Sequence, residues 1–233
     1  LGLFSCLYGQ STSSDSLFNG FKSASIFRIP PGAERPKIDG DLSDGVWKSA
    51  REYSDFSLFE PNPGTPCSQN TFFRLLYDDD AIYIYARMQD NPANILKELA
   101  PRDQYNNTDY IEFIFDPYAS GTVAFGFAVT PRNLQQDSKY VGSDDEDETW
   151  DAIWDSAVQL TDEGWQAEFK IPFSQLRFSK DDIRRWHFNV VRLMKKVREK
   201  SSWQPINPAI SGYINQSGYL TGIKGVKSPP RIS

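Results

Sequence analysis

The feature that most constrains this chain is a recurrence of short strand-like runs. Thr71–Tyr77, Ala81–Met88, Tyr110–Asp116, Thr122–Thr130, Trp154–Leu160, Trp165–Ile171 and His187–Leu193 are all rich in β-branched and aromatic residues. The joins between them carry turn chemistry. Asp78-Asp79-Asp80 and Thr161-Asp162-Glu163-Gly164 predict hairpins, with Gly164 free to take the positive φ of a tight turn, and Pro117–Gly121 joins another pair. Helical signal is weak: Pro92–Leu99 reads as a short helix closed by Ala100-Pro101, and Phe173–Leu176 and Asp181–Arg185 as single turns. Strands at short spacing with hairpin joins predict an all-β fold, an antiparallel, jelly-roll-like β-sandwich with a few short helical turns. A chain of 233 residues accommodates one such unit.

Period-two alternation sorts the strand residues. Ile111, Phe113 and Phe115 point one way, and Tyr110, Glu112, Ile114 and Asp116 the other. Trp165, Ala167, Phe169 and Ile171 oppose Gln166, Glu168 and Lys170. Phe72, Arg74 and Leu76 share a face, as do Tyr83, Tyr85 and Arg87. Several strands therefore have one apolar face and one mixed polar and aromatic face. The mixed face is either an ordinary wet side or a shallow groove for a hydroxylated ligand, whose C–H faces pack on rings and whose hydroxyls meet carboxylates and guanidinium groups.

The ends read differently from the middle. Residues 1–9, Leu-Gly-Leu-Phe-Ser-Cys-Leu-Tyr-Gly, read as the remainder of a secretory signal, and Leu3–Cys6 also fits a lipoprotein cleavage box loosely. Residues 10–25 are Ser-rich and read as a flexible linker, 26–226 as the sandwich, and 227–233 as a Pro-rich tail. No apolar run approaches the ~20 residues of a membrane helix. The net charge of −6 argues against a nucleic-acid partner, and the basic run Lys195–Lys200 is short and interrupted. With only Cys6 and Cys67, no disulfide framework or cysteine-built metal site forms, and His187 is the only histidine.

The order of motifs carries a resemblance. Ile38-Asp39-Gly40-Asp41-Leu42-Ser43-Asp44-Gly45-Val46-Trp47 looks like the opening of the family 9 carbohydrate-binding-like domain. Phe73–Ile84 looks like its first strong hairpin, Asp109–Asp116 like its central strand, and Trp165–Leu176 like its late strand and turn. The resemblance spans roughly residues 36–223. Trp150–Asp155, Ile171–Phe178 and Gly218–Ile223 resemble the subgroup that precedes an outer-membrane β-barrel. The resemblance implies an exported module, in the periplasm or at an outer membrane, that binds poly- or oligosaccharide in polysaccharide breakdown or uptake. It also implies a sugar held between two Trp rings, and calcium in some members.

Trp150, after an acidic loop, and Trp203, in Ser201-Ser202-Trp203-Gln204-Pro205, are the aromatic candidates for stacking on sugar. Trp47, Trp154, Trp165 and Trp186 read as structural. Tyr110, Glu112 and Arg87 are the polar candidates on the mixed faces. Asp145, Asp147 and Asp151 form a candidate calcium cluster without EF-hand spacing; the alternative is a solvated acidic loop. Two rival classes remain. A glycosidase needs two carboxyl groups ~5–9.5 Å apart. Glu112 and Asp116 on one strand lie roughly 13 Å apart, which leaves a cross-strand pair such as Glu112 with Glu168. A periplasmic accessory domain of a barrel would need no sugar site.

Overall fold

The computed structural model describes residues 16–18, 20–98, 107–142, 145–147, 150–178 and 185–226. Its strands are β1 Ser16–Phe18, β2 Phe21–Ser25, β3 Phe27–Arg28, β4 Ser57–Glu60, β5 Thr71–Tyr77, β6 Ala81–Gln89, β7 Tyr110–Asp116 and β8 Val123–Val129. They continue as β9 Gln135–Val141, β10 Asp145–Asp147, β11 Asp155–Thr161, β12 Gly164–Pro172, β13 Arg185–Met194, β14 Glu199–Ser202 and β15 Gly218–Thr221. Two sheets form. Sheet A runs β1-β2-β15-β13-β7-β8-β9-β10, with β14 and β4 branching from β13; sheet B runs β11-β12-β6-β5-β3.

All seven predicted strands form, within a residue or two of their expected ends. The hairpin turns form too. Asp78 Oδ1 accepts the backbone N–H groups of Asp80 and Ala81, and Gly164 has φ 140°. A Cβ on Gly164 would strike the Met88 carbonyl. The sheets are mixed rather than purely antiparallel, because β2 lies parallel to β15 and β3 parallel to β5.

Two sequence expectations are corrected. Residues 21–25 were expected within a linker but form β2, with Ala24 fully buried. The partner of β2 is β15, at the far end of the chain, so local periodicity carries no trace of the pairing. The expected helix at Pro92–Leu99 is absent over residues 92–98. The Asn91 side chain takes the Ala93 N–H and the Asp109 carboxylate takes the Leu96 N–H, so the donors of a nascent helix are bound elsewhere. Phe173–Gln175 forms its expected turn; residues 1–15, 181–184 and 227–233 lie outside the described residues.

The core lies between the sheets. Phe73 of sheet B meets Phe113, Phe188 and Trp203 edge-on at 5.6–5.9 Å, and Trp154 stacks on Phe169 at 5.6 Å. Each such ring contributes roughly 1.5–3 kcal/mol by burial, with ~1 kcal/mol more per favourable pair. At one end, the fully buried Arg192 of β13 ties the sheets together. It donates to Asp90 at 3.0 Å, Gln89 O at 2.7 Å and Asn70 O at 3.1 Å.

The outer face of sheet B is closed by the opening motif. Trp47 and the partly buried Ile38, Leu42 and Val46 pack on Tyr83, Tyr85 and Leu76. The clamp is Glu168, which has no exposed surface. Its Oε2 accepts the Asp39 N–H at 3.1 Å and the Gly40 N–H at 3.0 Å, and its Oε1 accepts Trp47 Nε1–H at 3.0 Å. Gly40 has φ 84° and sits so close to β11 that a Cβ would lie 3.1 Å from the Val158 carbonyl carbon. Burial pushes the Glu168 carboxyl up to about 7, against the pull of its three N–H donors.

Candidate functional site

The outer face of sheet A has a different make-up. Its inward positions, Ile111, Phe113 and Phe115 of β7 and Phe125, Phe127 and Val129 of β8, fill the core. Outward lie Tyr110, Glu112 and Ile114 of β7, Ala124, Gly126 and Ala128 of β8, and Gln136, Ser138 and Tyr140 of β9. The middle strand carries only small residues, so it forms a floor between taller neighbours.

Glu112 reaches across that floor. Tyr140 donates its hydroxyl to Glu112 Oε1 at 2.6 Å, a short bond of the charge-assisted kind. Gly126 makes the crossing possible: a Cβ there would collide with Glu112 Oε1 and lie 2.8 Å from Ser138 Oγ. Mid-strand glycine of this kind marks close approach of another group. Glu112 retains 7% of its surface.

Tyrosine rings flank the carboxylate. Tyr213 stacks on Tyr140 at 6.1 Å with planes 29° apart, and Phe59 of β4 meets Tyr213 edge-on at 6.4 Å. Tyr140 and Tyr213 are half-buried. Tyr213 sits in a loop that one side chain organises. Gln216 Nε2 donates to the carbonyls of Ile210 and Gly212 at 3.1 Å, and Gln216 Oε1 accepts the Asn207 N–H at 2.8 Å. Gly212 is required there, with φ 97° and the Asn215 amide filling the place of a Cβ. The rim is pinned by Asp109, whose oxygens accept the N–H groups of Lys195 at 2.8 Å and Leu96 at 3.3 Å. Burial pushes its carboxyl up to about 6. The result is a fixed carboxylate with hydroxyl and amide neighbours beside aromatic faces. Such a surface can accept ligand hydroxyls and pack against C–H groups.

The structure brings together two of the five expected ligand contacts, Tyr110 and Glu112. Trp203 is corrected to a core residue. It is 0% exposed, its backbone N–H donates to Val190 O at 2.9 Å, and its ring packs among Tyr53, Phe73 and Phe188. Trp150 is half-buried against Phe125 and Phe127, on the core side of sheet A and away from the Glu112 face. Arg87 lies on sheet B, over the Phe72 ring at 4.4 Å and 4.0 Å from Glu52. Glu112 and Glu168 point outward from opposite sheets, with the core between them, so they form no glycosidase pair. Of the calcium candidates, Asp145 and Asp147 lie on β10, and Asp147 and Asp151 are exposed. Among the described residues no three acidic, His or Cys side chains converge as a metal site would require. The side chain of Asp145 lies outside what is described.

Sequence reasoning missed Tyr140, Tyr213 and Gly126. Alternation in Gln136, Ser138 and Tyr140 was the available signal for the first. A glycine inside the apolar run Val123–Val129 was the signal for the last.

The two sheets form a β-sandwich module with a carboxylate and tyrosine rings on one outer face. Residues 38–197 match the family described as carbohydrate family 9 binding domain-like, and the chain belongs to that family. No curated protein matches it significantly. Among solved structures it is similar in fold to a family 9 carbohydrate-binding module from Caldicellulosiruptor kristjanssonii. In the complex with cellotriose the TM-score is 0.60 at 16% identity, covering 90% of this chain and 95% of that one. In the glucose complex the TM-score is again 0.60 at 16% identity, covering 91% and 100%. A Bacteroides uniformis protein to which carbohydrate binding has been ascribed gives a TM-score of 0.69 at 12% identity, covering 86% of this chain and 99% of that one.

Proposed function

We propose that this chain binds carbohydrate without transforming it, at the outer face of sheet A around Glu112, Tyr140 and Tyr213. The observation that carries the reading is the Glu112 carboxylate. It is laid over Gly126, held by Tyr140 and set beside a tyrosine ring, in a chain of a carbohydrate-binding family. The cellotriose and glucose complexes of the fold relatives support a neutral sugar chain as ligand. The apolar stretch Leu1–Gly9 supports export, and the motifs of the barrel-associated subgroup support a role in polysaccharide breakdown or uptake at an outer membrane.

A glycan array and affinity gel electrophoresis test the reading. We expect retention by at least one neutral polysaccharide, with loss on Glu112→Gln and on Tyr213→Ala while thermal stability is kept. Uniform lack of retention across plant and host polysaccharides overturns it in favour of an accessory domain with no sugar site.

A further inference from the structure

A second concavity lies on the sheet B side, away from the Glu112 face. It is an open cleft of about 640 Å³ where β11, the β8–β9 turn and the segment around Arg35 meet. That volume falls within the ~300–1,000 Å³ range of small-molecule sites. Its polar lining is Arg35, Asn133, Gln135, Asp155, Ser156 and Lys170, with Trp154 and Tyr83 at the base.

The lining is fixed by its own hydrogen bonds. Ser156 Oγ donates to Asn133 Oδ1 at 2.7 Å, Gln135 Nε2 donates to Ser156 Oγ at 2.9 Å, and Asn133 Nδ2 donates to Ser156 O at 3.0 Å. Arg35 is held by Asp78 at 2.6 Å and Asp80 at 2.9 Å, and Lys170 lies 3.6 Å from Asp155. Side chains already ordered lose little entropy when a ligand arrives. Each cation is already ion-paired, Arg35 with two carboxylates and Lys170 with one, so neither is free to hold an anionic ligand. The cleft offers closely spaced donors and acceptors, and a hydroxyl is both. Trp154 and Tyr83 keep 5% and 1% of their surface, so rings form the base without a stacking platform.

We propose that this cleft is a second carbohydrate subsite, which takes a segment of neutral oligosaccharide through hydroxyl contacts. The inference rests on the carbohydrate-binding reading of the chain. The two sites lie on opposite sides of the core and cannot hold the same sugar ring. They would engage two chains, or distant parts of one, and raise retention on a polymer beyond either affinity.

The test is an NMR titration of the whole chain with a panel of neutral di- to tetrasaccharides, followed by Gln135→Ala and Lys170→Ala. We expect two groups of amide resonances to shift. One surrounds 112, 140 and 213; the other surrounds 133–135, 154–156 and 170. The variants should weaken only the second group, by roughly tenfold for one lost hydrogen bond. The half-exposed Lys170 gives a variant that leaves packing intact, and the wild-type titration needs no variant. Shifts confined to the first group, or variants that leave both groups unchanged, overturn the second subsite and leave the proposed function standing. No shift with any sugar overturns both.

Discussion

Glu112 and Glu168 stand in matching places. Each sits mid-strand in its sheet and points away from the core. Glu168 is covered by the chain's own opening motif and meets two backbone amides and the indole of Trp47. Glu112 accepts the Tyr140 hydroxyl and is flanked by tyrosine rings and a glycine floor. Loop amides and an indole suit a clamp, because they are fixed by the fold. A floor of small residues lets the Glu112 and Tyr140 side chains meet across it. On the proposed function, the same residue type at the same kind of position serves stability in sheet B and recognition in sheet A.

The comparison can be broken most forcefully at Glu168. Glu168→Ala leaves two buried N–H donors, those of Gly40 and the Trp47 indole, and the partly buried Asp39 N–H without an acceptor, and we expect a loss on the order of 4 kcal/mol in urea unfolding at unchanged m-value. A loss under about 1 kcal/mol would mean the clamp is not structural. Next comes pH. Burial raises the folded-state carboxyl of Glu168 to about 7 from an ordinary value of 4.5. The unfolded chain then releases its proton first, so this contribution to stability is full below about 4.5 and is lost as pH rises through about 7. The interval corresponds to about 3 kcal/mol at roughly 1.4 kcal/mol per pH unit. Asp109, raised to about 6, acts in the same sense. Unfolding midpoints measured between pH 4.5 and 8 should fall, and Glu168→Gln should flatten the trend.

Sheet A should respond the other way round. Glu112→Gln keeps an acceptor for Tyr140 and should change stability by under about 1 kcal/mol, while sugar binding falls by roughly ten- to a hundredfold as a charge-assisted bond is lost. Calorimetric titration measures it. Tyr213→Ala removes one stacking face and should weaken binding by about fivefold, near the ~1 kcal/mol of a ring contact, with little effect on folding.

Legibility in the sequence followed the range of the forces involved. β5, β6, β7, β12 and β13 were legible because alternation is local and each buries a full apolar face. β2, β4 and β15 were not, because they are short and exist through partners distant in sequence, and β14 was not, because it is a four-residue hairpin arm that opens on Glu199 and Lys200. The same limit governed the site. Glu112 and Tyr110 could be placed on an outer face by counting twos along β7. Tyr213 could not, since its position is set by the Gln216 side chain within an irregular loop. Trp203 misled because Ser, Gln and Pro neighbours read as an exposed loop. In the structure its backbone extends the β14–β13 pairing, and its ring enters the core.

The most direct measurement is a crystal structure of the chain with a bound neutral oligosaccharide. The account predicts a sugar ring against Tyr213 on the outer face of sheet A, with a hydroxyl about 2.7 Å from Glu112. Sugar found only elsewhere, on Trp150 or in the sheet B cleft alone, would contradict it.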